Sequence, residues 1–439
     1  MYKKDLSIIV IQRFWQGFAG LITVIAITLF LSRDQQGWYY TFLSLAALYS
    51  FFEMGLSNVL IQRFAHMFVD LKWSQNGKIE GEKAEEFFCF LFHSFKTYFF
   101  LMGAFLLVSF SIGQFIFTHK SNSNLLFHSY WFLPWLFLVI TTASNTLTFP
   151  FLAAIEGSGN ILEAYKIRLI QGVLGSVATW LALFKGGWLW AASMLPLISA
   201  IIIFIWLKIY HKNLFKLTFE FKHKSYDWVK DVWPFQWRVG LNWMSFFLMS
   251  QLATPIIFIF KTPVLAGQMG VTLAIAHMLS IVAQSWMVRH IPKMSQAVAK
   301  KNWNLLDKLF FNDFKISLFI LLCEIFTIII ICSFFVPEYF LERILPLPNL
   351  MGLLGFIFFY HINYAFSVQL RSFHKEPLVW ITLLGSTLIL IGSIIFVRIY
   401  SVDGVIWTMF LVQALFVFPS SLLLWHFFNK KWRKIKRGT

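Results

Sequence analysis

Charge is scarce in this chain. Only 13% of its 439 residues are Asp, Glu, Lys or Arg, where a water-soluble domain carries roughly 25%. That deficit excludes an ordinary soluble enzyme. Cysteine is scarcer still. Cys89, Cys323 and Cys332 lie far apart, in or near apolar segments, and offer neither a disulfide framework nor a metal spacing. No G-x-x-x-x-G-K-[ST] run occurs, so there is no P-loop for ATP. No H-E-x-x-H, paired-Cys motif or hydrolase elbow occurs either. The lone G-x-G, in "EGSGN" at 156–160, follows no strand and reads as a turn. No cofactor and no metal is expected. A leader cleavage site is also missing: "MYKKDLSIIVIQRF" has a charged start, but its apolar run continues to Leu31 without small residues to cut at.

What is present is apolar and aromatic. Hydrophobic residues make up 58% and aromatics 19%, with 53 Phe and 19 Trp; mean hydropathy is +0.69. About 20 apolar residues of helix span a bilayer. Twelve segments qualify, at roughly 7–31, 38–61, 95–118, 129–154, 165–184, 187–208, 238–260, 267–288, 315–335, 349–370, 377–399 and 402–427. They are numbered here as spans 1 to 12. The stretch 64–92, with "KIEGEKAEEFF", reads as an amphipathic or surface helix.

The net charge of +17 suggests nucleic acid until its distribution is followed. With the N-terminus inside, the inside pieces are 1–6, 62–94, 155–164, 209–237, 289–314, 371–376 and 428–439. Thirty Lys and Arg fall in or beside them, among them Lys3, Lys4, Lys212, Lys224, Lys300, Lys301, Arg371, Lys430, Lys434 and Arg437. Six fall outside: Arg33, Lys120, Lys185, Lys261, Arg343 and Arg398. That is a positive-inside bias. It puts both termini in the cytoplasm and leaves nucleic acid with nothing to explain. The outside loops are short, so no external catalytic domain exists.

The long inside connector at 209–237 divides the chain into 1–208 (spans 1–6) and 238–439 (spans 7–12). Spans 1 and 7 open alike, "IQRFWQGF" against "FQWRVGLNW". Aligning Thr41 with Thr272 sets Glu53 opposite Gln284. Parallel halves of this kind place a substrate site at their interface, near the midplane.

Polar residues recur on single helical faces. Span 1 carries Arg13, Gln16, Gly17, Gly20 and Thr23; span 2 carries Ser50, Glu53 and Ser57. Span 7 carries Arg238, Asn242 and Ser245; span 8 carries His277, Ser280 and Gln284. Such stripes face a bundle interior or a wet cavity. Arg13 and Glu53 lie at similar depth, roughly 9 and 12 Å from the cytoplasmic ends of their helices, and are expected to pair. Glu324 sits mid-span in "LLCEIF" with no obvious partner. His277 and His361 are intramembrane imidazoles. Glu53, Glu324, His277 and His361 are the ion-coupling candidates. Pro150, Pro196 and Pro255 fall within predicted helices and can kink them.

Several stretches resemble the multidrug/oligosaccharidyl-lipid/polysaccharide exporter (MOP) superfamily, and within it the polysaccharide-exporting, O-antigen flippase-like branch. They are "FFEMGLSNVLIQRFA", "FLAAIEGSGNILEAYKIRLIQ", "WPFQWRVGLNWMSFFLMSQLATPIIF", "GQMGVTLAIAHMLSIVAQSWMVRHIPKMSQAVAKKNWNLL" and "VQLRSFHKEP". The resemblance implies an all-α polytopic membrane protein, with about twelve transmembrane helices in two six-helix lobes around a central cavity. It implies alternating access, an H+ or Na+ gradient, and a bacterial inner membrane. The implied substrate is a lipid-linked oligosaccharide on undecaprenyl diphosphate, for O-antigen, lipopolysaccharide or capsule, with other polysaccharide-assembly proteins as partners. Arginine suits a diphosphate, which makes Arg13, Arg238, Arg289 and Arg371 its candidate hosts. Gln16, Asn242, Gln284 and Asn145 can meet sugar hydroxyls.

Three other readings compete. A drug or small-metabolite antiporter of the same superfamily would share fold and coupling. It would want acidic clusters, whereas the intramembrane acids are Glu53 and Glu324. A polymerase or glycosyltransferase would need a large outside loop or an acidic metal motif. A scaffold would need no polar stripes.

Overall fold

The computed structural model describes residues 2–74, 79–121, 130–220, 227–373 and 375–435. Lys224 and Arg437, counted above as inside charges, lie outside these residues. The described chain is helical apart from one short antiparallel hairpin, Lys72–Trp73 with Ile79–Glu80. Among the described residues, eleven helical stretches are long and apolar enough to cross a membrane. The last, Val379–Arg433, contains two spans. Ser401 inside it is non-helical (φ 58°, ψ −137°). Gly385 and Gly392 before that break lie against Val417 and Thr408 after it, so the chain doubles back. The protein is a multi-pass, all-helical membrane protein, as the hydropathy pattern predicts.

Two compact units divide the chain, unit 1 at Met1–Phe247 and unit 2 at Leu248–Thr439. In unit 1, spans 1, 5 and 6 are unbroken over Tyr2–Phe30, Ile161–Phe184 and Ala191–Tyr210. Span 2 is in three pieces, Arg33–Ala46, Tyr49–Glu53 and Leu56–Met67. Span 4 is in two, Phe132–Thr146 and Phe149–Gly157. Pro150 explains the second break. It stands in the first turn of its helix, where a missing N–H does no harm. Pro196, by contrast, is tolerated inside span 6. Ser32 starts span 2 with a capping box, its hydroxyl accepting from the Gln35 N–H at 3.1 Å while the Gln35 side chain accepts from the Ser32 N–H at 3.0 Å.

The surface helix expected at 64–92 is not there. Span 2 continues to Met67, the hairpin follows, and span 3 begins at Ala84 and runs to Ser121. The acidic cluster Glu82, Glu85 and Glu86 flanks that helix start, where negative charge is favourable. Lys83 donates to Asp70 at 2.7 Å across the turn.

Lipid removes most of the hydrophobic drive for helix association, leaving close packing to hold spans together. Unit 1 packs with rings. Phe117 lies 4.7 Å from Phe42, 5.3 Å from Trp135 and 5.4 Å from Trp38, centroid to centroid. Gly113 admits this cluster: a Cβ there would sit 2.2 Å from Trp135.

In unit 2, span 8 runs unbroken over Pro263–Val288 and is followed by a helix at Ile291–Ala299. Span 9 covers Trp303–Ile330 with a π-helical turn at Ile331–Phe335. It therefore starts about three turns before the expected 315. Asn302 sets that start, its side chain accepting from the Leu305 N–H at 3.0 Å. Span 10 covers Leu347–Arg371.

Candidate functional site

The carboxylate of Glu53 lies at a break in span 2. Met54 (φ 50°) and Gly55 (φ 68°) are both left-handed, which ends one helix and starts the next. Glu53 is 5% exposed and accepts three hydrogen bonds. Its Oε2 accepts from the Gly55 N–H at 2.7 Å, and its Oε1 from the Ser57 N–H at 2.6 Å and the Tyr98 hydroxyl at 2.7 Å. The first two are N–H groups that a new helix leaves orphaned. Charge-assisted bonds of this kind are the strong ones. Gln236 closes the far side, donating through Nε2 to the Met54 carbonyl at 2.9 Å.

The expected Arg13–Glu53 pair is therefore not formed. Among the described residues Arg13 makes no ion pair, and it is exposed. A carboxylate already filled by three donors gains little from a more distant cation. The break that orphans those N–H groups supplies the donors instead. Tyr98 and Gln236 were not foreseen. Their partner, a left-handed Met-Gly pair, becomes visible only once the helix is seen to break.

The polar face of span 1 points away from the protein around it over residues 13–20, while Thr23 at its end turns inward and accepts from Trp180 Nε1 at 2.9 Å. Arg13, Gln16 and Gly20 are exposed, and a Cβ on Gly17 or Gly20 would meet nothing within 4 Å. The opposite side packs, with Trp15 against Gly172 and Trp180. Arg238 is also exposed. Its guanidinium lies 5.4 Å from the Trp237 ring centre, and no carboxylate among the described residues pairs with it. Asn242, one turn on, is half-buried.

Unit 1 also holds a half-open cavity of about 310 Å³. Its polar lining is neutral: Thr23, Tyr39, Tyr49, Thr142, Asn145, Thr146, Ser176 and Thr179. Leu43, Leu138, Leu195 and Pro196 supply apolar wall. Thr146, Ser176 and Thr179 donate their hydroxyl protons back to helix carbonyls at 2.7–2.9 Å. Their oxygens keep lone pairs for something else. Of the predicted glycan partners, only Asn145 lines this cavity.

Unit 2 handles its polar residues differently. Asp313, fully buried, accepts from Arg289 Nη2 at 2.8 Å and Nε at 3.1 Å, both on Oδ1. His290 Nδ1 lies 2.8 Å from Oδ2. Asp313 was not foreseen because span 9 was expected to begin after it. Arg371 pairs with Glu376 at 3.2 Å. Two of the four candidate phosphate hosts, Arg289 and Arg371, thus already hold carboxylates, while Arg13 and Arg238 do not.

His361 is fully buried, with Nε2 3.0 Å from the Ser317 hydroxyl. His277 and Gln284 are half-buried on span 8, and Ser280 between them is buried. Glu324 is half-buried on span 9, its Oε2 buried without a hydrogen-bond partner.

The arrangement of helices is similar to that of solved transporters. One is a multidrug resistance MATE family transporter of the MOP superfamily in an inward-facing conformation: TM-score 0.67, 13% identity, 98% of each chain covered. The fold is MATE-like. A second likeness is the MATE multidrug transporter DinF-BH, with TM-score 0.61, 13% identity, and 97% of this chain and 95% of that one covered. A third is the lipid II flippase MurJ in an inward closed conformation, with TM-score 0.58, 14% identity, and 96% and 87% covered. No protein-family profile and no curated protein matches the chain. At these identities the likeness is one of fold.

Proposed function

We propose that this chain is a flippase that moves a lipid-linked oligosaccharide, carried on undecaprenyl diphosphate, across the bacterial inner membrane. It works by ion-coupled alternating access, with both termini in the cytoplasm. The observation that carries the reading is the pair of arginines that no carboxylate among the described residues holds. Arg13 and Arg238 are exposed on polar helix faces, and a guanidinium free of carboxylate is suited to a diphosphate. The neutral cavity of unit 1 supports the same reading. Hydroxyl oxygens with open lone pairs, a free amide and two phenols suit sugar hydroxyls. A lining without carboxylate is a poor host for a cationic drug, which weighs against the antiporter.

The test is translocation in sealed proteoliposomes carrying a lipid-linked oligosaccharide, scored by glycan accessibility from outside. Wild type should flip it. Arg13→Ala with Arg238→Ala should cut the rate by about two orders of magnitude, the loss of two charge-assisted contacts at about 1.5 kcal/mol each. Unchanged flipping in the double variant removes the arginines from the site. No flipping by wild type under an imposed ion gradient moves the reading to the antiporter.

A further inference from the structure

Span 9 is the most weakly packed of the membrane helices. Only 6% of its apolar window is buried, and Phe319, Phe326, Phe334 and Phe335 are exposed. Its one packed face is nonetheless polar. Asp313, Ser317, Leu321 and Glu324 follow at i, i+4, i+8 and i+11, which keeps them on a single side of the helix. The first three are fully buried.

Each polar residue on this stripe meets a proton-carrying group or carries one. Asp313 is held by Arg289 and by His290, which is 24% exposed and so reaches the surface. The Ser317 hydroxyl lies 3.1 Å from the Phe314 carbonyl and 3.0 Å from His361 Nε2, and can pass its proton to either. The other ring nitrogen, Nδ1, is buried without a partner. Two turns further, roughly 10 Å along the helix, Glu324 presents a buried Oε2 with no donor. A buried polar atom without a partner is costly. Two such atoms against one helix face mark a place for protons or for water that carries them.

We propose that Glu324 binds a proton that drives transport. The span 9 face is its route, entered at His290 and Asp313 and passing Ser317 and His361. This rests on reading the chain as a transporter. Elements packed against span 9 carry several charged and titratable groups among the described residues. Span 8 brings His277, the turn after it Arg289, and the next helix Lys293. Span 10 brings Tyr360, His361, Tyr364 and Arg371. The last helix, in Phe418–Ile435, brings His426, Lys430, Lys431 and Arg433, which is bonded to Asp307. Counted from the Arg289–Asp313 contact, His277 lies at about the depth of Glu324, roughly 17 Å in.

A substrate-independent measurement tests the site. Hydrophobic carbodiimides modify carboxyl groups that are protonated in apolar surroundings. The full chain in lipid nanodiscs is treated with a pyrenyl carbodiimide, and labelled peptides are identified by mass spectrometry. The Glu324 peptide should label, and label less at about pH 9 than at about pH 6; Glu324→Gln should abolish that label. In proteoliposomes, Glu324→Gln should lose the stimulation of flipping by a pH gradient but keep gradient-free exchange. Asp313→Asn and His361→Gln should slow the stimulated rate. A Glu324 peptide that stays unlabelled, or labels equally at every pH, overturns the proposal and leaves the flippase reading intact. So does pH-gradient stimulation that survives Glu324→Gln. Absent flipping with pH-dependent labelling overturns the flippase reading and keeps the proton site.

Discussion

Glu53 in unit 1 and Asp313 in unit 2 are both buried carboxylates, and they are satisfied by different means. No cation touches Glu53 among the described residues; two backbone N–H groups and a phenol fill it. Asp313 is filled by an arginine and a histidine. The difference follows from the helices. Span 2 breaks, and a break creates orphan N–H donors that a carboxylate can cap. Asp313 sits inside the unbroken helix of span 9, where the backbone donors are used, and it faces the turn after span 8, whose Arg289 and His290 answer it with side chains. Satisfaction by a broken backbone ties the acid to a bend. Satisfaction by an ion pair ties two helices together and makes each partner depend on the other.

That contrast predicts its own largest effect. Removing the partner of a buried charge strands it. Arg289→Met should lower stability by about 3 kcal/mol in thermal unfolding of the detergent-solubilised protein, since the fully buried Asp313 loses its guanidinium. Adding Asp313→Ala should recover part of that loss, because the stranded charge goes with it. A double variant as unstable as the sum of the singles would show that the two residues are not coupled. Unit 2 would then not be held in the way argued.

The bend in unit 1 comes next. Gly55 is left-handed, and a Cβ there would lie 2.3 Å from Trp243 Nε1 and 2.9 Å from Val239 Cγ1. Gly55→Ala should therefore cost about 2 kcal/mol, from backbone strain and the displaced ring together. Trp243→Ala should relieve the clash but not the strain, so the double variant should sit between Gly55→Ala and Trp243→Ala alone. A neutral Gly55→Ala would mean that the break is not fixed by this residue.

Much of this architecture was legible in the sequence. Hydropathy located the twelve spans, because a membrane helix must be apolar along its length whatever its neighbours are. The turn at "EGSGN" was legible from its glycines, and Gly159 does take φ +88°. The partners of the polar residues were not legible. Arg13 and Glu53 looked paired because depth along two helices can be counted from sequence. Helix rotation and helix breaks cannot be counted that way. Asp313 was missed for a related reason. The polar run before it hid a helix start that only Asn302 announces, by capping. His290 stands directly beside Arg289, and a neighbour for two basic groups was a signal that could have been followed. The cavity of unit 1 combines residues from spans 1, 2, 4, 5 and 6, so no local stretch predicts it.

The smallest effect separates the two accounts of Glu53 most sharply. If the carboxylate is a cap on a bend, its donors matter and Arg13 does not. Tyr98→Phe removes one donor and leaves the N–H bonds in place, so it should cost about 1 kcal/mol. Glu53→Ala in addition should cost more, because it strands the Gly55 and Ser57 N–H groups. The coupling between positions 53 and 98 should be measurable in a double-mutant cycle. Arg13→Ala in the same cycle should move stability by less than about 0.5 kcal/mol, as exposed substitutions do, and should show no coupling to Glu53. Any coupling between 13 and 53 comparable to that between 53 and 98 would restore the ion pair. Arg13 would then be a structural partner of Glu53 and no longer a free host for phosphate. Arg13 cannot fill both roles at once, so this stability cycle and the flipping assay on Arg13→Ala bear on one question from two sides.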